Sequence, residues 1–188
     1  MVELARDLIG KILCTSFDGQ ITKGIIVETE AYRAPEDKAS HAYGNRRTAR
    51  TNTMFLAGGR SYVYLCYGIH HLFNIVTGPE NLAHAILVRA IEPFEGIEIM
   101  LERRKMKNLS TRLTAGPGIL TKALGIHTGH DNQVLNPASD LWIEDQNLKI
   151  ASSQIISSPR VGVQYAEECA AWPWRFRLKA NKWCSPAK

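Results

Sequence analysis

Three side chains capable of acid–base chemistry alternate at the end of an apolar segment. Glu28, Glu30 and Tyr32 are spaced two residues apart, so in a strand all three lie on one face. A carboxylate that ends a buried strand is costly unless it is paired or used, and one with a raised pKa can act as a general base. The alternative is that these acids are solvated at the strand end.

Arg89 is the one charged residue within the apolar segment 86–91. An arginine in such a segment is rarely buried without a partner, and a carboxylate, either Glu30 or Glu28, is the natural one. This pairing predicts a charged cluster close to the candidate base. The alternative is an ion pair with a structural role alone.

The segment 61–77 is rich in β-forming residues, which predicts a hairpin with its turn at residues 67–70. Tyr62 and Tyr64 share one face of the first strand, whereas Tyr67 lies at the tip beside Gly68, with Ile69 behind it. An exposed aromatic residue at a hairpin tip can act as a wedge between base steps of DNA. Ordinary sheet packing explains Tyr62 better than it explains Tyr67.

Basic residues are concentrated in three segments. The net charge is +5, but segments 33–60, 101–112 and 172–188 carry +4, +4 and +5, which leaves −8 for the remainder. The first is a long loop in which Arg46, Thr48 and Arg50 are suited to phosphate oxygens. The alternative interpretation of all three segments is a solvated surface.

The sequence argues against several other classes of protein. The four cysteines form no C-x-x-C pair, and the adjacent His70 and His71 would point to opposite faces of a strand, so we expect reduced thiols and no metal. There is no phosphate-binding loop, no dinucleotide fingerprint and no apolar stretch long enough for a membrane span. We therefore expect no cofactor, no membrane association and a cytoplasmic location.

The elements that must position these residues are helices and hairpins in mixed order. The chain has 188 residues, of which 45% are apolar and 22% charged, as expected for one domain spanning residues 1–188. Hairpins without regular β-α-β alternation favour an α+β fold with an antiparallel sheet. The patterns predict helices at 3–9, 94–107 and 117–124, and strands at 11–17, 21–32, 61–66, 71–77, 85–91, 141–144 and 148–151. Segment 174–179 alternates, with its apolar residues predicted inside and its basic residues outside.

A basic surface, an aromatic wedge, stacking rings and a carboxylate beside an arginine are together what an enzyme needs to extrude a nucleotide and act on it. With these features the sequence resembles the alkyladenine (3-methyladenine) DNA glycosylases over essentially its whole length. The matching motifs are IVETEAY at 26–32, PEDKASH at 35–41, YVYLCYGIHH at 62–71 with Asn74, LVRAIEP at 87–93, AGPG at 115–118, RVGV at 160–163 and PWRF at 173–176.

The resemblance implies both a fold and an activity. The expected fold is a single compact α+β domain with a curved antiparallel sheet, flanking helices and a protruding β-hairpin. The expected activity is metal-free, monofunctional excision of alkylated purines from duplex DNA, without lyase activity, as the first step of base excision repair. The implied partner is double-stranded DNA that contains a damaged purine, and the protein is expected to be a monomer with no obligate protein partner.

The resemblance also implies roles for individual residues. Glu30 corresponds to the general base and Arg89 to the residue that positions the attacking water. The positions that bind the base are Tyr32, His41, Tyr64 and Asn74; those that intercalate are Tyr67 and Ile69; those that contact the DNA backbone are Arg46, Thr48 and Arg50.

Two other functions remain compatible with the residues. A non-catalytic protein that binds damaged DNA would keep the basic surface and the wedge but would not need Glu30 and Arg89. A nucleosidase that acts on free nucleosides would need neither Tyr67 nor the basic segments.

Overall fold

An antiparallel sheet of eight strands organises the chain in the computed structural model, which describes residues 1–186. The strands are β1 (Ile12–Phe17), β2 (Gln20–Arg33), β3 (Arg60–Cys66), β4 (His70–Val76), β5 (His84–Glu95), β6 (Leu141–Glu144), β7 (Ile155–Ser158) and β8 (Arg175–Leu178). The α-helices are α1 (Val2–Asp7), α2 (Ile97–Arg103) and α3 (Pro117–Leu124). The predicted α+β class with an antiparallel sheet is confirmed. No helix within the described residues is both long and apolar enough to cross a bilayer.

The long strand β2 is the centre of this sheet. The main strand order is β3-β4-β5-β2-β1-β6, and β8 pairs with the C-terminal half of β2 and with β7. The register between β2 and β5 shifts on both sides of Glu28. Irregularities of this kind bend a strand and re-aim its side chains, and here they occur where the candidate acids lie.

Helices α2 and α3 cover one face of the sheet and close the main core. Pro117 opens α3 and Gly125, at φ 77°, ends it, as expected from the preference for proline at the first position and glycine after the last. The fully buried Leu120 and Leu124 pack in the core that also holds Phe73. A Cβ on Gly118 would lie 2.8 Å from the ring of His70, so glycine here allows α3 to approach the β3–β4 hairpin closely.

Two predicted elements differ from the structure. The helix predicted at 94–107 spans only Ile97–Arg103. It starts late because β5 continues to Glu95, which pairs with Lys23, and it ends early, before Lys105 at φ 52°. The strand predicted at 148–151 is wrong, since that segment forms no strand. Its expected partner β6 pairs with β1 instead, which offers a longer sheet edge than a local hairpin.

The third correction concerns the alternating segment 174–179. Phe176 is buried as predicted, but Arg175, predicted to face outward, is only 3% exposed. Strand β8 lies between β2 and the unpredicted β7, so it is not an edge. Arg175 is tolerated there because it meets the buried carboxylate of Glu28. It therefore adds nothing to a basic outer surface.

Candidate active site

A cavity of about 300 Å³ opens between the β3–β4 hairpin, the loop that follows β2 and the loop at 161–165. The predicted base-binding residues and Arg89 converge on it from segments far apart in sequence. Its lining includes Tyr32, His41, Tyr64, Asn74 and Arg89, together with Tyr67, Pro117, Val161 and Tyr165.

Aromatic rings form one wall of this cavity. The His41 and Tyr64 ring centroids are 4.6 Å apart with the rings nearly perpendicular, and Tyr64 lies 5.3 Å from Tyr62. His41 Nδ1 and the Tyr62 hydroxyl share a hydrogen bond of 3.0 Å. Loss of water around the ring, with a smaller effect of the Arg50 charge, lowers the pKa of His41 to about 4. The His41 ring is therefore neutral at pH 7.

Tyr32 links the cavity to the candidate base. Its hydroxyl donates a 2.8 Å hydrogen bond to Glu30 Oε2, and burial together with the Glu30 charge holds the pKa of Tyr32 well above its usual value. The Arg160 guanidinium lies 4.7 Å from the centroid of the Tyr32 ring. Arg160 in turn forms a two-armed, fully buried ion pair with Asp37, at 2.5 and 2.8 Å. The ring is thus held in place by a buried charge pair.

Glu30 is fully buried immediately behind the cavity wall. Besides the Tyr32 bond, its Oε2 accepts from Arg89 Nη1 at 3.3 Å, and its Oε1 accepts from the Val161 amide at 2.8 Å. Its three partners all line the cavity. The sequence could not predict the Val161 contact, because every residue except proline carries a backbone amide and residue type therefore does not mark it.

Arg89 contacts both candidate acids, so the structure contains both of the ion pairs that the sequence suggested for it. Its Nε donates to Glu28 Oε1 at 2.9 Å while Nη1 reaches Glu30. Burial opposes the charged guanidinium, but the two carboxylates raise the pKa of Arg89 above its usual value. Glu28 also accepts from Arg175 Nε at 2.8 Å and from Ser185. Sequence reasoning missed these last two residues as parts of the site.

The hairpin tip projects beside the cavity. Tyr67 is 92% exposed and Ile69 is 72% exposed. Tyr67 and Gly68 have φ of 51° and 72°, and the Ile69 amide donates to the Cys66 carbonyl. Positive φ at both central residues is the geometry of a tight hairpin turn. This turn presents an aromatic side chain that the fold itself does not bury.

The predicted DNA-backbone residues lie on the exposed loop after β2. Arg50 reaches the aromatic wall, with its guanidinium 4.8 Å from the Tyr64 ring centroid. The Thr48 amide donates to Thr51 Oγ1 at 2.8 Å, which fixes the local turn. Arg46 and Thr48 are exposed and do not line the cavity.

Asn74 is 4% exposed and lies in the cavity lining. Its amide nitrogen donates to the Tyr62 carbonyl at 3.1 Å across the hairpin. The side chain therefore has one fixed orientation, tied to the strand that carries the stacking tyrosines. Within residues 1–186, no group of three or more His, Cys, Asp or Glu side chains is arranged to hold a metal ion.

Comparison with known proteins shows the family to which this chain belongs. The sequence profile of the methylpurine-DNA glycosylases matches residues 1–182. Similar proteins, each provisionally named a 3-methyladenine DNA glycosylase, occur in Chlamydia pneumoniae (46% identity, 95% of this chain and 89% of the relative) and in Clostridium botulinum (44% identity, 98% and 93%). A third, from Bacillus cereus, is 42% identical over 98% of this chain and 93% of its own. The chain belongs to the methylpurine-DNA glycosylase family.

Proposed function

We propose that this protein is a monofunctional DNA glycosylase that flips an alkylated purine, such as 3-methyladenine, out of duplex DNA and hydrolyses its N-glycosidic bond. This reaction would start base excision repair. The observation that carries the proposal is the position of Glu30, bound by three lining residues at the wall of an aromatic cavity, next to an exposed tyrosine wedge.

The aromatic wall suits a flipped, positively charged purine. Alkylation at N3 or N7 places positive charge on the base, and a cation is attracted to the faces of Tyr32 and Tyr64. The low pKa of His41 keeps that ring uncharged at pH 7, so it stacks without repelling the base. Asn74, held rigidly in the lining, takes the role of excluding the exocyclic amine of guanine.

The groups around Glu30 suit activation of water. As the bond to the base breaks, the sugar gains oxocarbenium character, which a nearby carboxylate stabilises. Among the described contacts, Oε1 of Glu30 accepts only the Val161 amide bond, which leaves one of its lone pairs for a water molecule. Because Glu30 is fully buried behind the cavity wall, that water would reach it only when the residues in front of it shift as the substrate binds. Glu30 would take the proton of that water, and Arg89 would hold the water molecule in position.

The outer surface suits duplex DNA that contains a damaged purine. Tyr67 and Ile69 are exposed at a rigid turn, and we assign them to the gap left by the flipped nucleotide. The exposed Arg46, Thr48 and Arg50 are assigned to phosphate oxygens of the duplex. A damaged base pairs and stacks poorly, so flipping it costs less than flipping a normal base.

The test uses the wild-type protein and Glu30→Gln with two substrates, a methylated duplex and the free methylated nucleoside. We expect the wild type to release base from the duplex only, and to cut the strand only after alkali is added. Glu30→Gln should lose base release and keep its affinity for an abasic duplex, since the amide preserves the shape of the side chain.

Each other outcome contradicts a stated part of the proposal. Release by Glu30→Gln at the wild-type rate would remove Glu30 as the general base. Binding of damaged duplex without release by the wild type would indicate a non-catalytic damage-binding protein. Release from the free nucleoside would indicate a nucleosidase, and strand cleavage without alkali would indicate a lyase.

A further inference from the structure

A segment near the C-terminal end of the chain packs against the second buried carboxylate, Glu28. Ser185 is 6% exposed. Its amide donates to Glu28 Oε2 at 2.5 Å, and its hydroxyl donates to Glu28 Oε1 at 2.9 Å. The neighbouring Cys184 thiol donates to the Val27 carbonyl at 3.4 Å, which holds this segment against β2.

Arg175 completes the cluster from β8. Its Nε donates to the same Glu28 oxygen at 2.8 Å, and its Nη2 lies 3.4 Å from Ser185 Oγ. Glu28 Oε1 therefore receives donors from Arg89, Arg175 and Ser185 at once. Glu28 thus contacts a second guanidinium besides the one that it shares with Glu30.

This arrangement matters because Arg89 divides its charge between two buried carboxylates. In a poorly solvated site, two carboxylates beside a single guanidinium repel each other, and one of them is driven toward the protonated form. A second guanidinium on Glu28 leaves the Nη1 arm of Arg89 committed to Glu30. Arg160 cannot replace Arg175 in this role, since both of its Nη atoms already bond Asp37.

We propose that Arg175 and Ser185 are positioning residues for the reaction. By holding Glu28, they fix Arg89 and so keep its Nη1 arm on Glu30, the proposed base. This inference rests on the proposed glycosylase function. Neither residue lines the aromatic cavity that holds the candidate site; both lie at a separate cavity behind β8. In this proposal they therefore act on the reaction through Glu28 and Arg89.

Several titratable or charged groups surround Glu28 and Glu30, and each of them can contribute to the pH dependence of the reaction. The titratable or charged groups that face the two carboxylates are Tyr32 on β2, Tyr64 on β3, Arg89 on β5, Arg160 after β7, Arg175 on β8 and Cys184 near the C-terminus. Burial and the Glu28 charge raise the pKa of Cys184 to about 11, and burial with the Glu30 charge keeps Tyr32 protonated. Cys184 and Tyr32 therefore stay protonated between pH 5 and pH 9.

The experiment measures the single-turnover rate of base release from duplex DNA methylated with dimethyl sulfate, from pH 5 to pH 9. For Ser185→Ala we expect the acid limb of the profile to move upward by about 0.5 to 1 pH unit, which corresponds to a rate about 3- to 10-fold lower on that limb. The affinity for an abasic duplex should stay within about twofold of wild type. Ser185→Thr, which keeps the hydroxyl, should restore the wild-type profile.

Two further variants keep the test decisive. Ser153→Ala, at an exposed serine far from the cluster in sequence, is the matched control and should leave the profile unchanged. Arg175→Lys keeps the positive charge but loses the Nε bond, and it should shift the acid limb in the same direction as Ser185→Ala. If Ser185→Ala fails to fold, Arg175→Lys measured against Ser185→Thr decides the question.

The inference is overturned if folded variants keep the wild-type profile, or if their rates fall equally at every pH, which is what a merely structural role predicts. Those results would leave the proposed function intact, because the wild type would still release base. Failure of the wild type to release base from the methylated duplex would instead refute the proposed function.

Discussion

Replacing Tyr67 with alanine separates the proposed wedge from the stability of the fold. The Tyr67 side chain is 92% exposed, so its ring makes almost no contact that folding requires. Surface substitutions of this kind usually change the free energy of unfolding by no more than about 0.5 kcal/mol. Tyr67→Ala should therefore have the same Tm as the wild type. Any loss of DNA binding then reflects the missing ring.

The size of that loss follows from the stacking that the ring would make inside a duplex. An aromatic side chain stacked on a base contributes about 1–3 kcal/mol, and 1.4 kcal/mol is a tenfold change in Kd. The Kd for a duplex with one abasic site should thus rise about 5- to 150-fold. Tyr67→Phe keeps the ring and should bind within about threefold of wild type.

The assay is fluorescence anisotropy of a labelled duplex with and without an abasic site, at one fixed salt concentration. Fixed salt is needed because phosphate contacts make affinity strongly salt-dependent. The variant should lose affinity mainly for the abasic duplex and little for the intact one. Unchanged affinity for the abasic duplex, or an equal loss on both duplexes, would refute the wedge.

Two other predictions concern buried charge and pH. Asp37→Asn leaves the fully buried Arg160 without its carboxylate, so the free energy of unfolding should fall by about 3–5 kcal/mol; calorimetry should show Tm lower by about 6–20 °C, and a Tm within 2 °C of wild type would contradict this. NMR titration of the His41 ring should give a midpoint near 4, below the ordinary 6.5. Because the folded state disfavours protonation, the stability that His41 contributes is complete above about pH 6.5 and declines as the pH falls toward 4; a midpoint at or above 6.5 would refute the desolvated ring.

Much of the site followed from local pattern. Alternation placed Glu28, Glu30 and Tyr32 together, and a lone arginine in an apolar strand pointed to a carboxylate partner, because burial of an unpaired charge is too costly. The hairpin with Tyr67 at its tip followed from β-forming segments around a Tyr-Gly turn. The family resemblance, which the comparisons confirm, implied the base-binding roles proposed for the remaining positions.

Local sequence patterns could not predict the contacts between segments that are distant in the chain. Arg175 looked like an outward basic residue because alternation does not tell which side of a strand is covered, and only the pairing of β8 between β2 and β7 buried it. Similarly, nothing local linked the Val161 amide to Glu30.

The sequence by itself therefore determined which groups the site contains and which strand faces carry them, since spacing along a strand sets its side-chain direction. Only the tertiary structure decided which charges are buried together. Ser185 and Arg175 meet Glu28 through chain closure over more than 140 residues. Such a contact depends on the packing of the whole sheet, because a buried charge is stable only where the complete fold supplies its partners.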